Sequence, residues 1–130
     1  MDSNVILDVV EDDPQWCDWS LDVLNQYSET HQLIINPVIY AEVSISFERI
    51  EEFEEVLSSG GLKMVPIPKE ALFLAGKVFI RYRRKQGVKT IPLPDFFIGA
   101  HAAVADVALL TRDKKRFKHY FPSVKLVSPK

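Results

Sequence analysis

Apolar residues recur along this chain in two alternating rhythms, short uninterrupted runs and longer stretches at helical period, each pair separated by turn residues. The opening Asp2-Ser3-Asn4-Val5-Ile6-Leu7-Asp8-Val9-Val10 reads as the end of a strand passing into a short apolar helix. Asp13 and Pro14 carry N-cap and first-position chemistry for a helix through about Gln26, with Trp16, Trp19, Leu21 and Leu24 as its apolar side. Leu33 to Ile35 is a short buried strand, and Asn36-Pro37 starts a helix running through Glu42. From Phe47 to Leu57 apolar residues alternate with glutamates at helical spacing until Gly60-Gly61 ends the run, so the glutamates form a solvated face.

The second half repeats the rhythm. Leu62 to Ile67 is a strand; from Lys69 a helix with Leu72, Ala75, Val78, Phe79 and Tyr82 on one side closes near Gly87. A loop carrying Pro92 and Pro94 leads to Asp95, at the start of a helix rich in small residues, Phe96-Phe97-Ile98-Gly99-Ala100-His101-Ala102-Ala103-Val104-Ala105. Val107 to Thr111 is a buried strand, Asp113 stands at its exit, a short helix runs through Phe117 to Tyr120, and Val124 to Val127 is a last strand. Strands alternating with helices throughout predict a three-layer α/β/α sandwich around a mostly parallel central sheet.

Length and composition narrow the picture. With 130 residues, 47% of them hydrophobic, the chain has material for one core, and residues 1–130 are expected to form a single domain. Cys17 has no partner cysteine, and the N-terminus lacks a charged and then apolar leader, which fits a reducing, cytoplasmic setting. No apolar run approaches the roughly 18 residues of a membrane span, and neither repeats nor low-complexity tracts occur.

Candidate chemistry comes from four acids, Asp2, Glu42, Asp95 and Asp113, each inside or beside an apolar stretch, whereas the other acids lie on amphipathic faces or in charged runs. Burying a carboxylate is costly without a cation or a donor. Each acid alone has an ordinary explanation: a terminal acid for Asp2, a helix cap for Asp95 and Asp113, a surface position for Glu42. Together they follow the rule that ligands of open parallel sheets bind at the carboxyl ends of the strands. Four carboxylates gathered there call for a hard divalent cation, Mg²⁺ or Mn²⁺, and such a cluster suits hydrolysis of a phosphodiester. The formal charge of −2 becomes +2 when the four acids are set aside, so a nucleic-acid partner is compatible with the rest of the surface.

The segments around these acids resemble the PIN-domain ribonuclease family, in particular the VapC-type toxins of toxin–antitoxin pairs. The likeness lies in the opening Asp2-Ser3-Asn4, in Ala41-Glu42-Val43 after Asn36-Pro37, in Pro94-Asp95-Phe96-Phe97-Ile98-Gly99-Ala100-His101-Ala102, and in Leu110-Thr111-Arg112-Asp113 with Phe117. Each motif is weak by itself; four in the family's order over nearly the whole chain are specific. The resemblance implies Asp2, Glu42, Asp95 and Asp113 as metal-binding and catalytic acids, with Ser3, Asn4 and Thr111 supporting them. It also implies RNA cleavage dependent on Mg²⁺ or Mn²⁺, homodimers, and a cognate antitoxin that masks the active site. One departure stands out: family members carry several apolar residues ahead of the first acid, and here only Met1 precedes Asp2. The expectation is a start further upstream or a truncated strand with a weakened site. An intact mass of the native protein, or no gain in stability or activity on lengthening the chain upstream, would count against it.

Among basic residues, Arg112, Lys114, Lys115 and Arg116, with Lys118, form a candidate RNA-contacting patch near Asp113, and Arg81, Arg83, Arg84 and Lys85 a weaker one; cations near a helix C-terminus are also favoured by the helix dipole alone. His101 and His119 lack ligand spacing and read as packing or surface residues, Cys17 as a small apolar side chain, and Asp8 as either a support of the site or a solvated helix position. Three other functions compete: a non-toxin RNA-processing nuclease, a catalytically inactive PIN-like binding module, and a phosphoacceptor receiver domain. The last needs an acceptor Asp at the exit of its third strand, and the strand from Leu62 ends in Pro66-Ile67-Pro68 instead.

Overall fold

The computed structural model describes residues 1–86 and 93–129, the side chains of 84–86 excepted. In chain order the elements are α1 (Ser3–Val10), α2 (Cys17–Ser28), β1 (Leu33–Ile35), α3 (Pro37–Ser44), α4 (Ile50–Ser59), β2 (Leu62–Met64), α5 (Lys69–Gln86), α6 (Leu93–Ala105), β3 (Leu109–Leu110), α7 (Lys114–Tyr120) and β4 (Leu126–Val127). Strand pairing is parallel, as the helix-connected order demands. β1 pairs with β2, Leu33 opposite Leu62 and Ile35 opposite Met64, and β3 pairs with β4, Leu109 opposite Leu126 and Leu110 opposite Val127.

β1–β2 and β3–β4 are two two-stranded parallel sheets, and Met1 and Asp2 bridge them. Asp2 is extended (φ −74°, ψ 149°) and its backbone N–H donates to Leu110 O at 2.8 Å, while the Met1 nitrogen donates to Ile34 O at 3.1 Å. Donors that alternate sides are the mark of a strand with a neighbour on each edge. Behind Met1 the same line continues as a groove of about 400 Å³ between Leu33 and Ile34 on one bank and Val107, Ala108 and Leu110 on the other.

The core is built from the apolar positions of this pattern. Val5 of α1, Ile35 of β1, Ile39 and Val43 of α3, Phe53 of α4, Phe96 and Ile98 of α6, Leu109 of β3 and Phe117 of α7 are buried together. α5 and α6 form the most extensive helix pair, with Tyr82 and Phe79 of α5 against Phe96 at 5.6 and 5.4 Å between ring centroids. Small residues let α6 lie close to its neighbours: a Cβ on Gly99 would fall 2.3 Å from the Phe121 ring.

Several boundaries differ from the sequence expectation. The strands are shorter, because Val65 to Ile67, Val107 to Ala108 and Val124 to Lys125 lie outside the paired residues. α2 begins at Cys17 rather than Pro14; Asp13 nevertheless serves the preceding turn, its Oδ1 accepting from Gln15 N and Trp16 N at 2.9 Å. α4 begins at Ile50, not Phe47, and α6 already at Leu93, so Pro94 and Asp95 fall in its first turn, where a proline costs no helical hydrogen bond. Leu21 and Leu72, expected inside, are exposed, while Ser20, Val23 and Ala71 take the buried positions. Gly87 and Pro92 lie outside the described residues. Among the described residues no helix is long and apolar enough to cross a membrane.

Candidate active site

Asp2, which with Met1 joins the two sheets, is also the centre of the acidic site. It is 4% exposed, and its Oδ2 accepts a 2.7 Å hydrogen bond from Thr111 Oγ1 at the end of β3. Thr111 is itself buried and serves a second partner, its Oγ1 accepting from Asp113 N at 3.0 Å. One hydroxyl thus ties the first acid to the loop that presents the fourth. Ser3 opens α1, and its Oγ donates to Glu42 Oε1 at 2.9 Å; its 3.5 Å approach to Asp2 Oδ1 is long for the same single hydrogen. Glu42 reaches this point because Asn36 caps α3, Oδ1 accepting from Ile39 N at 3.0 Å, and so fixes where the helix begins after β1.

Asp95, in the first turn of α6, and Asp113, just past β3, complete the group. The Arg116 guanidinium of α7 stands between them, NH1 donating to Asp95 Oδ2 and Nε lying 3.2 Å from Asp113 Oδ2. Burial pushes the Asp95 carboxyl up to about 6, and the charges of Asp2 and Glu42 add to the rise; the Arg116 guanidinium opposes it without cancelling it. Asp2 is likewise raised, by burial first and also by Asp113, against the hydrogen bonds from Thr111 and Ser3. Glu42 rises through burial and the nearby Asp2 charge. Asp2, Glu42 and Asp95 therefore each feel another acid's charge, Asp113 acting on Asp2, and the four expected from the sequence lie together at the carboxyl ends of the strands.

Their donor chemistry fits a hard divalent cation: oxygen ligands only, mutually repelling when ionised, two of them, Asp2 and Glu42, held by hydroxyls that leave lone pairs available. As they stand, however, no three His, Cys, Asp or Glu side chains among the described residues are arranged to ligate one ion. The guanidinium of Arg116 already occupies oxygens of Asp95 and Asp113.

The supporting residues behave less uniformly. Asn4 contributes to the β3 exit, with Oδ1 3.4 Å from Arg112 N and Nδ2 3.5 Å from Thr111 Oγ1. Asp8 is no solvated position: it is 2% exposed, and its Oδ2 accepts from Ser20 Oγ and from Arg112 Nε, both at 2.7 Å. Arg112 also lies over the Trp16 ring at 5.3 Å, so its guanidinium clamps α1, α2 and the β3 exit together. The expected basic patch is thereby divided. Arg112 and Arg116 are engaged with acids of this chain, whereas Lys114, Lys115 and Lys118 are exposed. In the other basic run Arg81 and Arg83 are exposed, and the side chains of Arg84 and Lys85 lie outside the described residues.

Sequence reasoning missed the Asp8–Arg112 pair, although a signal existed. Asn4 and Asp8 are four apart on α1 and so share a face, the same face that meets Arg112. His101 is a packing residue, buried on α6 with Nδ1 3.1 Å from Asn36 Nδ2, and burial lowers its pKa.

Comparison with known proteins places the family and the fold. The PIN domain family profile matches residues 1–121. The fold is similar to that of a chain in the crystal structure of VapBC2 from Rickettsia felis bound to a DNA fragment from their promoter, with a TM-score of 0.74 at 18% identity, covering 97% of this chain and 94% of that one. The comparison with curated proteins gave no match.

Proposed function

This chain belongs to the PIN domain family, and on that footing we propose that it is a metal-dependent endoribonuclease, a single-domain toxin paired with an antitoxin protein. The observation that carries the reading is the gathering of Asp2, Glu42, Asp95 and Asp113 at one sheet edge, where burial and a neighbouring acid's charge raise the carboxyls of Asp2, Glu42 and Asp95. A Mg²⁺ or Mn²⁺ ion bound among them would neutralise the carboxylates, orient a scissile phosphate and favour ionisation of an attacking water. Asp2, Asp95 and Asp113 would hold the ion, with Glu42 at its flank. Thr111 and Ser3 orient two of these carboxylates through 2.7 and 2.9 Å hydrogen bonds. Asp95, titrating at about 6, takes up a proton most readily near neutral pH when no cation is bound. Lys114 and Lys115, exposed beside Asp113, are placed to meet RNA phosphates. The partner proposal leans on the likeness in fold to a chain of the Rickettsia felis VapBC2 structure bound to promoter DNA. A homodimer is proposed with it.

The test is cleavage of a mixed RNA pool by the purified protein with Mg²⁺ or Mn²⁺, beside Asp95→Asn and an EDTA control. Cutting that needs metal and vanishes in the variant supports the nuclease. A folded, antitoxin-free protein that cuts nothing under either metal sinks it. That outcome would favour the inactive binding module, a reading that the Arg116 bridge across Asp95 and Asp113 keeps in play.

A further inference from the structure

Arg116 stands where the acids most need a positive charge. It belongs to the first turn of α7, its side chain is 36% exposed, and its guanidinium reaches two carboxylates from different elements, Asp95 of α6 and Asp113 at the β3 exit. Those carboxylates are also two that a divalent ion would take, and among the described residues no three His, Cys, Asp or Glu side chains are arranged to ligate one ion. With Oδ2 of Asp95 and Oδ2 of Asp113 both facing the guanidinium, a divalent ion seated between these two acids meets its positive charge at close range, and repulsion favours the departure of one of them. The arginine is the group able to move, being long, 36% exposed and held at its tip by the same two carboxylates that the ion would neutralise.

Resting on the nuclease reading above, we propose that Arg116 is a displaceable occupant of the ion's seat which, once released, becomes a phosphate-positioning residue for the bound RNA strand. A freed guanidinium offers donors in a planar fork that matches phosphate oxygens in pairs. Its neighbours on α7, Lys114 and Lys115, are exposed, so the released group stays on a positively charged rim beside the acids. Arg112 cannot take this part, because Asp8 and Trp16 already hold it. The arrangement couples the two ligands: ion entry frees the cation that the RNA strand then uses.

Calorimetric titration of Mn²⁺ into wild type, Arg116→Gln and Arg116→Lys tests the first step. Arg116→Gln is expected to bind Mn²⁺ about 10-fold more tightly and Arg116→Lys to fall between. Fluorescence anisotropy of a labelled single-stranded phosphorothioate RNA, chosen because it is cut slowly, tests the second. Arg116→Gln should weaken RNA binding about 10-fold with Mn²⁺ present and leave it unchanged without metal. Equal or weaker Mn²⁺ binding by Arg116→Gln overturns the proposal, as does an RNA effect that is absent or the same with and without Mn²⁺. Should Arg116→Gln fail to fold, Arg116→Lys decides by the same two readouts. Failure of all three proteins to bind Mn²⁺ overturns the metal site too, whereas Mn²⁺ binding by wild type with no gain in the variant removes only this inference.

Discussion

Asp2 and Glu42 are held by neutral hydroxyls, Asp95 and Asp113 by a cation, and the two halves of the site consequently solve different problems. Thr111 and Ser3 sit in the packed interior at 0% and 8% exposure, so their hydrogen bonds fix where the carboxylates point. Hydroxyls do not cancel charge, and both acids are pushed up in pKa despite them. Arg116 does the reverse: it supplies charge to Asp95 and Asp113 from a half-exposed side chain with several free torsions. One half of the site is set by geometry and the other by charge balance, and an incoming cation would exchange with the second half while docking on the first.

The sharpest way to break this comparison is to remove the charge-balanced acid itself. Asp95→Asn is expected to lower metal-dependent RNA cleavage by at least about 100-fold, read as initial rates at saturating Mn²⁺. Its thermal stability in metal-free buffer at neutral pH should equal or exceed that of wild type, because a buried acid with a raised pKa has gone. A large fall in stability would recast Asp95 as a structural partner of Arg116. On the geometry side, Thr111→Val leaves the buried Asp2 carboxylate and the Asp113 N–H without their shared partner. It should cost about 1–3 kcal/mol in urea denaturation. A change within about 0.5 kcal/mol would mean that Asp2 is not held as the hydrogen bond indicates.

The pH dependence separates the halves further. The Asp95 carboxyl titrates at about 6 in the folded protein against 3.8 for the ordinary group. Between those values the folded state binds more protons than the unfolded state, so this acid's contribution makes stability fall as pH rises from about 4 to about 6 and then level off. Asp95→Asn should lack that descending limb in metal-free denaturation curves. Mn²⁺ affinity should run the other way, rising with pH through about 6, since the ion competes with the proton. An affinity independent of pH across that window would remove Asp95 from the ion's ligands.

Much of this architecture is readable from residue patterns, and the exceptions have physical causes. Asn36-Pro37, Gly60-Gly61 and the small-residue run of α6 predict their elements because local backbone chemistry decides them: a cap that accepts from Ile39 N, a Gly61 at φ 68°, a Gly99 against Phe121. Strand lengths are not local. β3 pairs only over Leu109 and Leu110, because pairing depends on where β4 and Asp2 arrive, and no run of apolar letters carries that information. The four acids were visible as carboxylates out of place among apolar neighbours. Their counter-charges were not: Arg112 and Arg116 sit in one basic run, KKR with its flanks, and only the fold turns the first toward Asp8 and the second toward Asp95. A basic run read as a single surface patch thus divides into two arginines paired with acids and an exposed remainder of lysines.

The smallest effect should come from Ser3, and its size assigns the hydroxyl's one hydrogen. Ser3 Oγ lies 2.9 Å from Glu42 Oε1 and 3.5 Å from Asp2 Oδ1, so the bond belongs to Glu42. Glu42 is only half-buried, and water can replace part of what Ser3→Ala removes. The cost should be about 0.5–1 kcal/mol, clearly below that of Thr111→Val, and should largely vanish when Ser3→Ala is made on a Glu42→Ala background, which removes the acceptor. A cost as large as that of Thr111→Val, undiminished in the Glu42→Ala background, would place the hydrogen on Asp2. The first acid would then rest on two hydroxyls rather than one, and Glu42 would join Asp95 and Asp113 as an acid that only a cation can steady.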